Sequence, residues 1–512
     1  MAASTIPAAA PATGATWTNV AGGSWTTASN WSPSGGAPNG EGASAVFNAN
    51  ATSDRTITGA TGTLGSITFN TTSVSLNNRS HTINGGLTLD GAGTSPATIT
   101  VAGSGTRLAT MSGPLVLASS LTADVSQTAS TSLAGALSLN GAVSGPGGLT
   151  KDGAGMMTLG GGAKSYMGPT VVSAGRLRIE PAAAPTASSS FTVASGAQVT
   201  FQNNGTYALG AGPLRLNGFG LGPSAPLGQL AGALNVSQVV SIGNHVVLES
   251  DAAINVTGTG KSLTLTGGIS GAGGLTFNAS PVDPTPLLGT LVLTGAGSFS
   301  GSTVVNAGTL TAASTSGGAG GAGGALGATS SITINRQHEL NDNQPATLQL
   351  GASDQINDAA PMTLNGGMLA TGGFSEGSAG APGIGALGIT EASIIDMGDA
   401  ASVLAFAASN GTWAGPLDVY NWTGTLNAGG GADQLYFGTN GSGLSPSQLA
   451  QLTFYSDAGI TPVGHVATQL LTGEVVAALP EPTAASMLAL GAVMLLRRRR
   501  RYDRGTPRRS IL

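Results

Sequence analysis

Short stretches in which apolar and polar residues alternate recur along most of this 512-residue chain. Residues 263–266 (LTLT) and 303–306 (TVVN) are typical, and Val, Ile, Leu and Thr dominate such stretches. Alternation with a period of two places the apolar side chains on one face of a β-strand. Gly, Asn-Gly, Ala-Gly and Gly-Gly separate the stretches, and these residues favour tight turns. The pattern therefore predicts many short strands joined by tight turns.

Helical patterns are almost missing before residue 483. The exception is 445–452 (SPSQLAQL), where Ser445 is suited to the N-cap position and Pro446 to the first helical position. The sequence therefore predicts one short helix in an otherwise all-β region before residue 483.

Two parts of the chain repeat each other. Residues 137–150 (LSLNGAVSGPGGLT) align without gaps to 263–276 (LTLTGGISGAGGLT), and residues 155–177 match 289–310 with one gap. One such unit cannot bury its apolar face alone, so neighbouring units must stack at about 4.8 Å per coil. This repetition predicts a β-solenoid.

The units at 147–177 and 273–310 resemble the autotransporter-associated β-strand repeat, and the second is interrupted by NASPVDPTPLL. The stretch 16–48, and the stretch that runs from 348–367 through 433–438 to residue 474, resemble other parts of such proteins. The resemblance implies a right-handed parallel β-helix.

The predicted organisation has six parts. They are a disordered amino terminus (1–16), an N-terminal solenoid region with a Trp-rich cap (17–130), β-strand repeats (131–313, with copies near 132–180 and 258–313), a Gly-rich linker (314–330), a C-terminal β region (331–474) and a sorting signal (475–512).

Composition excludes several kinds of site. The chain has no cysteine, which excludes disulfides, thiolate metal sites and a cysteine nucleophile. Only 8% of its residues are charged, and they are unevenly distributed: residues 1–496 carry a net charge of −12 and residues 497–512 a net charge of +7. Because the main part is acidic and poor in lysine, a nucleic-acid-binding surface is not expected.

The C-terminal residues form a pattern of their own. Pro480, Glu481 and Pro482 precede the uncharged segment 483–496, which is followed by Arg497, Arg498, Arg499, Arg500 and Arg501. A helix of this length spans roughly 21 Å of the ~30 Å hydrocarbon core, and snorkelling arginines extend its reach. We predict a short transmembrane helix over 483–496, with the arginines on the cytoplasmic side.

This arrangement resembles the PEP-CTERM sorting signal of Gram-negative bacteria. The resemblance implies export, transient retention in the inner membrane and processing by an exosortase that recognises Pro480, Glu481 and Pro482. Residues 502–512 extend beyond the usual end of that signal. An ordinary membrane anchor or a chance apolar run is the alternative interpretation.

The amino terminus does not match a secretory signal peptide, which needs basic residues followed by about 7–15 apolar ones. Residues 1–15 contain no Lys or Arg and include Pro7 and Pro11. For an exported protein, we therefore expect a translation start upstream of Met1.

Two local motifs are close to ligand-binding patterns. Residues 255–262 (NVTGTGKS) depart from a phosphate-binding P-loop at Asn255, and a strand pattern follows where a helix is required. We therefore predict that Lys261 is a solvated turn residue. Residues 429–437 (GGGADQLYF) depart from a calcium-binding nonapeptide at Ala432 and have no tandem copy. No cofactor or metal is expected.

Acidic residues are concentrated between 339 and 399, with Arg336 as the only basic residue in or beside this stretch. Paired carboxylates are what a glycosidase or polysaccharide lyase would need, whereas the same acids in loops would keep a neutral surface soluble. The acids are Glu339, Asp342, Asp354, Asp358, Glu376, Glu391, Asp396 and Asp399.

Trp17, Trp25 and Trp31 allow two interpretations. They could stack on sugars, or they could cap the first coil, which we favour because terminal repeats must cover an open core.

Together these patterns predict an exported, non-enzymatic structural or adhesion protein of the cell surface or extracellular matrix. Its expected partners are an exosortase, the inner membrane transiently, and extracellular polysaccharide or neighbouring cells. The alternative hypothesis is a carbohydrate-active β-helix enzyme that uses acids of the 339–399 stretch.

Overall fold

The computed structural model describes residues 14–48, 53–71, 80–103, 108–126, 136–221, 232–279, 288–336 and 345–479, together with Met494. Strands account for almost all the regular structure of these residues, as the alternating pattern predicts. Three single-turn 3-10 helices, Ala28–Asn30, Pro181–Ala183 and Ala319–Gly321, interrupt the strands.

The strands of the first third are β1 (Gly14–Trp17), β2 (Gly23–Ser24), β3 (Trp31–Ser32), β4 (Ser44–Phe47), β5 (Arg55–Ala60), β6 (Thr63–Leu64), β7 (Ser66–Thr71), β8 (His81–Gly85), β9 (Leu87–Leu89), β10 (Ala97–Gly103), β11 (Ala109–Met111), β12 (Leu115–Leu117), β13 (Leu121–Val125), β14 (Leu137–Leu139), β15 (Val143–Ser144), β16 (Leu149–Asp152), β17 (Met156–Leu159), β18 (Thr170–Val172) and β19 (Gly175–Ile179). The central strands are β20 (Phe191–Val193), β21 (Ala197–Phe201), β22 (Gly205–Tyr207), β23 (Leu214–Gly218), β24 (Leu234–Val236), β25 (Val239–Ile242), β26 (Val246–Val256), β27 (Ser262–Leu265), β28 (Ile269–Gly271), β29 (Leu275–Phe277), β30 (Thr290–Leu293), β31 (Gly297–Phe299), β32 (Thr303–Val305), β33 (Thr309–Ala312) and β34 (Ile332–Asn335). The last strands are β35 (Thr347–Leu350), β36 (Met362–Asn365), β37 (Met368–Ala370), β38 (Gly377–Ser378), β39 (Ala381–Pro382), β40 (Leu387–Glu391), β41 (Ser393–Asp396), β42 (Ser402–Phe406), β43 (Leu417–Tyr420), β44 (Asp433–Phe437), β45 (Leu452–Tyr455), β46 (Pro462–Val463), β47 (Val466–Gln469) and β48 (Glu474–Ala478).

Most of these strands stack into three parallel faces, and successive strands of the chain move from one face to the next. Face 1 contains β1, β4, β7, β10, β13, β16, β18, β20, β23, the start of β26, β28 and β31. Face 2 contains β2, β5, β8, β11, β14, β17, β19, β21, β24, the end of β26, β29, β32, β34, β36 and β40. Face 3 contains β6, β9, β12 and β15, and later β22, β25, β27, β30, β33, β35, β37, β41, β43 and β45.

This order is that of a three-faced parallel β-helix, so the predicted solenoid is confirmed, while its right-handedness stays a prediction. Period-two alternation places the apolar side chains inside: Ile67, Ile99 and Ala123 occupy one inward column of face 1, and all three are buried. The core formed in this way is continuous from the first coil to the last, since each coil buries its inner side chains against its neighbours.

The Gly-rich segment 314–330, which composition predicts as a linker, packs into the stack. Ala325 and Leu326 belong to the core, and Leu326 forms a parallel bridge with Ile356. Glycine enrichment here reflects close packing: a Cβ on Gly321 would lie 2.2 Å from the carbonyl oxygen of Ile356. Composition cannot separate a glycine needed for close approach from one that gives a flexible linker.

The two ends of the helix depart from parallel stacking. At the amino end, β3 pairs antiparallel with β1. At the other end, β46, β47 and β48 add antiparallel pairs. The predicted helix is confirmed as α1 (Pro446–Leu449), where Ser445 and Gln448 form a reciprocal capping box. Antiparallel edges of this kind close a stack that would otherwise expose open strands.

Candidate functional site

The predicted sorting residues lie outside the described part of the chain. They are Pro480, Glu481, Pro482, Arg497, Arg498, Arg499, Arg500 and Arg501, and the predicted transmembrane helix 483–496 also lies outside it except for Met494. No helix within the described residues has the length and apolar character needed to span a membrane. The sorting signal therefore stays a prediction.

Three acids of the 339–399 stretch meet beside face 1. Glu376 is fully buried, and its carboxyl group accepts hydrogen bonds from the backbone N–H groups of Gln355 (2.6 Å) and Ile356 (3.3 Å). Burial raises the pKa of Glu376 to about 8, the two backbone hydrogen bonds oppose this, and the charges of Asp354 and Asp358 add to it. Its carboxyl group therefore takes the place of a backbone carbonyl as the acceptor for Gln355 and Ile356, and because it is buried a polymeric substrate cannot reach it.

We expect Glu376→Gln to reduce the pH dependence of stability. With its pKa raised from 4.5 to about 8, Glu376 keeps a proton that the unfolded chain releases, so wild-type stability falls as pH rises through this window. The loss is at most about 1.4 kcal/mol per pH unit. Thermal unfolding at about pH 5 and about pH 9 measures it. Asp399→Asn, which removes an exposed carboxylate, is the matched control, and equal pH dependence in both variants would contradict the assignment.

The remaining acids of this stretch are dispersed. Glu391 forms an ion pair with Arg336 (3.1 Å), Asp399 is exposed, and Asp396 lies on the outer surface of face 3. Glu339 and Asp342 lie outside the described residues. Glu391 therefore lies on face 2 and Asp396 on face 3, away from the three acids beside face 1.

Neither near-motif forms the ligand geometry that it resembles. Lys261 lies in a turn directly before β27, so a strand occupies the place of the helix that a P-loop requires. Asp433 is buried, and its carboxylate accepts hydrogen bonds from the backbone N–H and hydroxyl groups of Ser402 and Thr423. In the parts of the chain that the structure describes, no group of three or more His, Asp or Glu residues could hold a metal ion.

The three tryptophans form the interior of the amino-terminal end. Trp17, Trp25 and Trp31 are buried, and Trp31 lies between the other two with ring centroids 5.1 Å and 4.7 Å away. Phe47 of the next coil continues this cluster, 5.9 Å from Trp31. The arrangement agrees with the capping interpretation and leaves no ring face for a sugar.

Two buried lysines are a feature that the sequence reasoning missed. Lys151 and Lys164 are fully buried, and each ammonium group donates to three backbone carbonyls at a corner of the coil. Burial lowers the pKa of Lys151 to about 7 and that of Lys164 to about 8, against the charges of nearby acids. Because these ammonium groups are enclosed by carbonyls, their role is to hold adjacent coils together.

The outer surface of face 1 carries an unbroken column of hydroxyl groups. Strand register places one outward Ser or Thr in each of five successive coils, at a spacing of about 4.8 Å. The residues are Ser44, Ser66, Thr98, Thr122 and Thr150. A second column follows face 3, formed by Ser262, Thr290 and Thr309, and it ends at Thr347, which is buried. In both columns the hydroxyl groups therefore repeat at the spacing of the coils.

Face 3 changes character at its C-terminal end. Outward positions of its last three coils hold Asp396, Asp418, Tyr420 and Tyr455, which we call the Asp–Tyr patch. Register places Asp396 beside Tyr420, and the rings of Tyr420 and Tyr455 lie 5.5 Å apart at 90°. The patch thus brings two carboxylates and two aromatic rings together on one rigid sheet.

A cavity of about 400 Å³ adjoins the patch. It lies between β45 and the antiparallel strands β46 and β47, and Thr453 belongs to its wall. Its other wall residues are mainly apolar: Leu452, Phe454, Pro462, Val463, Gly464, His465, Val466 and Leu479.

Residues 149–179 and 288–312 match the family model of the passenger-associated-transport-repeat. The first match begins at β16 and ends with β19, and the second ends with β33, so both coincide with units of the parallel stack. No curated protein and no solved structure matches the chain. The repeats suggest an exported, autotransporter-like passenger and carry no information about a reaction.

Proposed function

We propose that this protein is an exported, non-enzymatic structural or adhesion protein of the cell surface or extracellular matrix. It is sorted through Pro480, Glu481 and Pro482 and processed by an exosortase. The observation that carries the proposal is the parallel stack itself, which presents hydroxyl columns over many successive coils.

Such columns suit many weak contacts with a polymer. Each Ser or Thr offers one hydroxyl donor and two acceptor lone pairs. Five of them in register on face 1 cannot bind tightly one by one, but a long partner can contact them together, and the effective concentration of each further contact is then high. Polysaccharide and the surfaces of neighbouring cells are the expected partners.

The placement of the acids supports a role without catalysis. Glycoside hydrolysis needs two carboxyl groups on opposite sides of an accessible bond. Glu376 and Asp433 are both buried and hydrogen-bonded within the fold, which favours structural roles for them.

Sorting is tested by fractionating cells that express wild type or Glu481→Ala from the full-length gene. We expect the mature wild-type protein to leave the membrane fraction and the variant to stay in it, because the exosortase no longer recognises the signal. Glu474→Ala is a poor control since Glu474 is buried, so Asp399→Ala, which removes an exposed carboxylate, serves instead. Equal release of wild type and Glu481→Ala would contradict the sorting assignment.

The non-enzymatic role is tested with the purified protein. It should retain whole cells or polysaccharide on a coated surface and release no reducing ends from neutral or acidic polysaccharides. Turnover that disappears in Asp354→Ala or Asp358→Ala would establish the alternative, a carbohydrate-active enzyme using acids of the 339–399 stretch.

A further inference from the structure

The Asp–Tyr patch differs from the rest of the outer surface in its chemistry. Aromatic residues make up only 4% of the chain, and the regular columns carry hydroxyl groups. At this end of face 3 two tyrosines instead occupy neighbouring positions of one column, with Asp418 beside Tyr420 on the same strand. A cross-strand pair of rings stabilises the sheet only modestly and adds nothing to the core, so these partly exposed rings also offer a contact surface to something outside the chain.

The geometry of the rings forms a corner. Tyr420 and Tyr455 are perpendicular, with centroids 5.5 Å apart, so one presents its face where the other presents its edge. The loop after β45 closes one side, because Gly459, at φ +90°, packs against the Tyr420 ring and a Cβ there would lie 2.7 Å from its hydroxyl oxygen. The negative face of an aromatic ring attracts the slightly positive C–H groups of an apposed ligand.

The carboxylates are positioned as hydrogen-bond acceptors. Asp396 accepts from Asn421 Nδ2 (2.7 Å) and from the backbone N–H of Gly398 (2.9 Å) with one oxygen, Oδ1. Asp418 has no hydrogen-bond or ion-pair partner among the described residues, and partial burial raises its pKa. Carboxylate oxygens that are not already engaged readily accept bonds from hydroxyl groups.

The charge of this region restricts the ligand. Between Arg336 and Arg497 the sequence contains no Lys or Arg, whereas it contains thirteen Asp and Glu residues. A polyanion such as an acidic polysaccharide would be repelled, since the patch has no cation to neutralise it. A ligand with many hydroxyl groups, apolar C–H faces and no negative charge fits both the rings and the carboxylates.

We propose that the Asp–Tyr patch is a binding site for a neutral glycan chain. A sugar ring stacks in the corner of Tyr420 and Tyr455 while its hydroxyl groups donate to Asp418 and to the second oxygen of Asp396. The inference rests on the proposed function, since the glycan would belong to the extracellular matrix. The patch is a defined binding site that is separate from the hydroxyl columns.

The test uses the purified protein in affinity electrophoresis through gels that contain a soluble β-glucan, xylan or mannan. At least one of these should retard the wild type, and Tyr420→Ala/Tyr455→Ala should weaken that binding about tenfold or more. Tyr420→Phe/Tyr455→Phe keeps both rings and should keep most of the binding. Asp418→Asn keeps an acceptor oxygen and should lose less than Asp418→Ala.

Phe219→Ala/Phe374→Ala is the matched control, because it truncates two exposed aromatic side chains that lie outside both the patch and the hydroxyl columns. Thermal unfolding verifies that every variant is folded. Three results would overturn the site: no retardation of the wild type by any neutral glycan, equal retardation of wild type and the double alanine variant, or binding to alginate or polylysine alone. If the double alanine variant is retarded as strongly as wild type and still retains cells, the proposed binding site is wrong, whereas the proposed adhesion function is not contradicted.

Discussion

Replacing Gly141 with alanine is expected to destabilise the protein by about 3 kcal/mol or more, or to prevent folding. A Cβ at Gly141 would lie 1.9 Å from the carbonyl oxygen of Gly113 in the preceding coil, and one at Gly113 would lie 1.8 Å from that of Gly85. Three glycines therefore stack at one corner, and the atoms in the way are backbone, which cannot rotate aside. Thermal and denaturant unfolding measure the effect.

Gly411→Ala is the matched control for this prediction. No atom lies within 4 Å of a Cβ at Gly411, and its φ lies outside the left-handed region. We expect little change there, or a slight gain, because alanine restricts the unfolded chain more than glycine does. Equal loss of stability in Gly411→Ala and Gly141→Ala would mean that backbone contact between coils is not what the corner glycine provides.

Replacing Trp31 with alanine is expected to open the amino-terminal end. Trp31 is buried, packs against both other tryptophans, and donates its indole N–H to the carbonyl oxygen of Trp25 (2.7 Å). Truncation of a large buried aromatic side chain costs about 3–5 kcal/mol. The first coils should unfold before the rest, since each coil is held only by its neighbours.

Two measurements separate this effect from a general loss of stability. Light scattering should show concentration-dependent association of Trp31→Ala, because uncovered parallel strands can pair with those of another molecule. Phe374→Ala, which truncates an aromatic side chain that is 37% exposed, should show neither association nor early unfolding. If both variants behave alike, Trp31 is an ordinary core residue and not part of a cap.

The fold was accessible from the sequence because its periodicity is local. Alternating residues mark the strands, and Ser445 with Pro446 marks α1, which the structure confirms. The repeated units align strand with strand, but they do not share faces: β14 belongs to face 2, whereas the aligned β27 belongs to face 3. The period-two pattern does not show which glycines pack against the backbone of a neighbouring coil, as glycines of the 314–330 segment do.

At Lys151 the period-two alternation of the strand and the usual exposure of a charged side chain give opposite predictions. In LTKD it lies two positions after Leu149, which places it inward, while a charged side chain ordinarily lies outside. The aligned position in the second repeat is Phe277, a core residue, and the Nδ2 group of the next residue, Asn278, donates to the carbonyl oxygen of Ala307. The alignment of the two repeats was therefore the signal that could have identified a buried lysine.

The Asp–Tyr patch could not be predicted because it depends on the register between coils. Asp396, Tyr420 and Tyr455 are separated by segments of different length, and the second segment includes α1. These side chains become neighbours only because the corner segments between the strands absorb the difference in the number of residues per coil. Sequence spacing therefore gives no indication that these three meet.

Because the corner segments differ in length, the number of residues in the chain and the length of the stack can change independently. From β13 to β16 the register advances by 28 residues (Leu121 to Leu149), and from β14 to β17 by 20 (Leu137 to Met157), yet each advance is one rung of the ladder. Insertions at a corner thus lengthen the chain without lengthening the rod. The length of the stack is set by the number of coils. Natural variation can therefore add or remove corner segments while the spacing of the outward side chains stays the same.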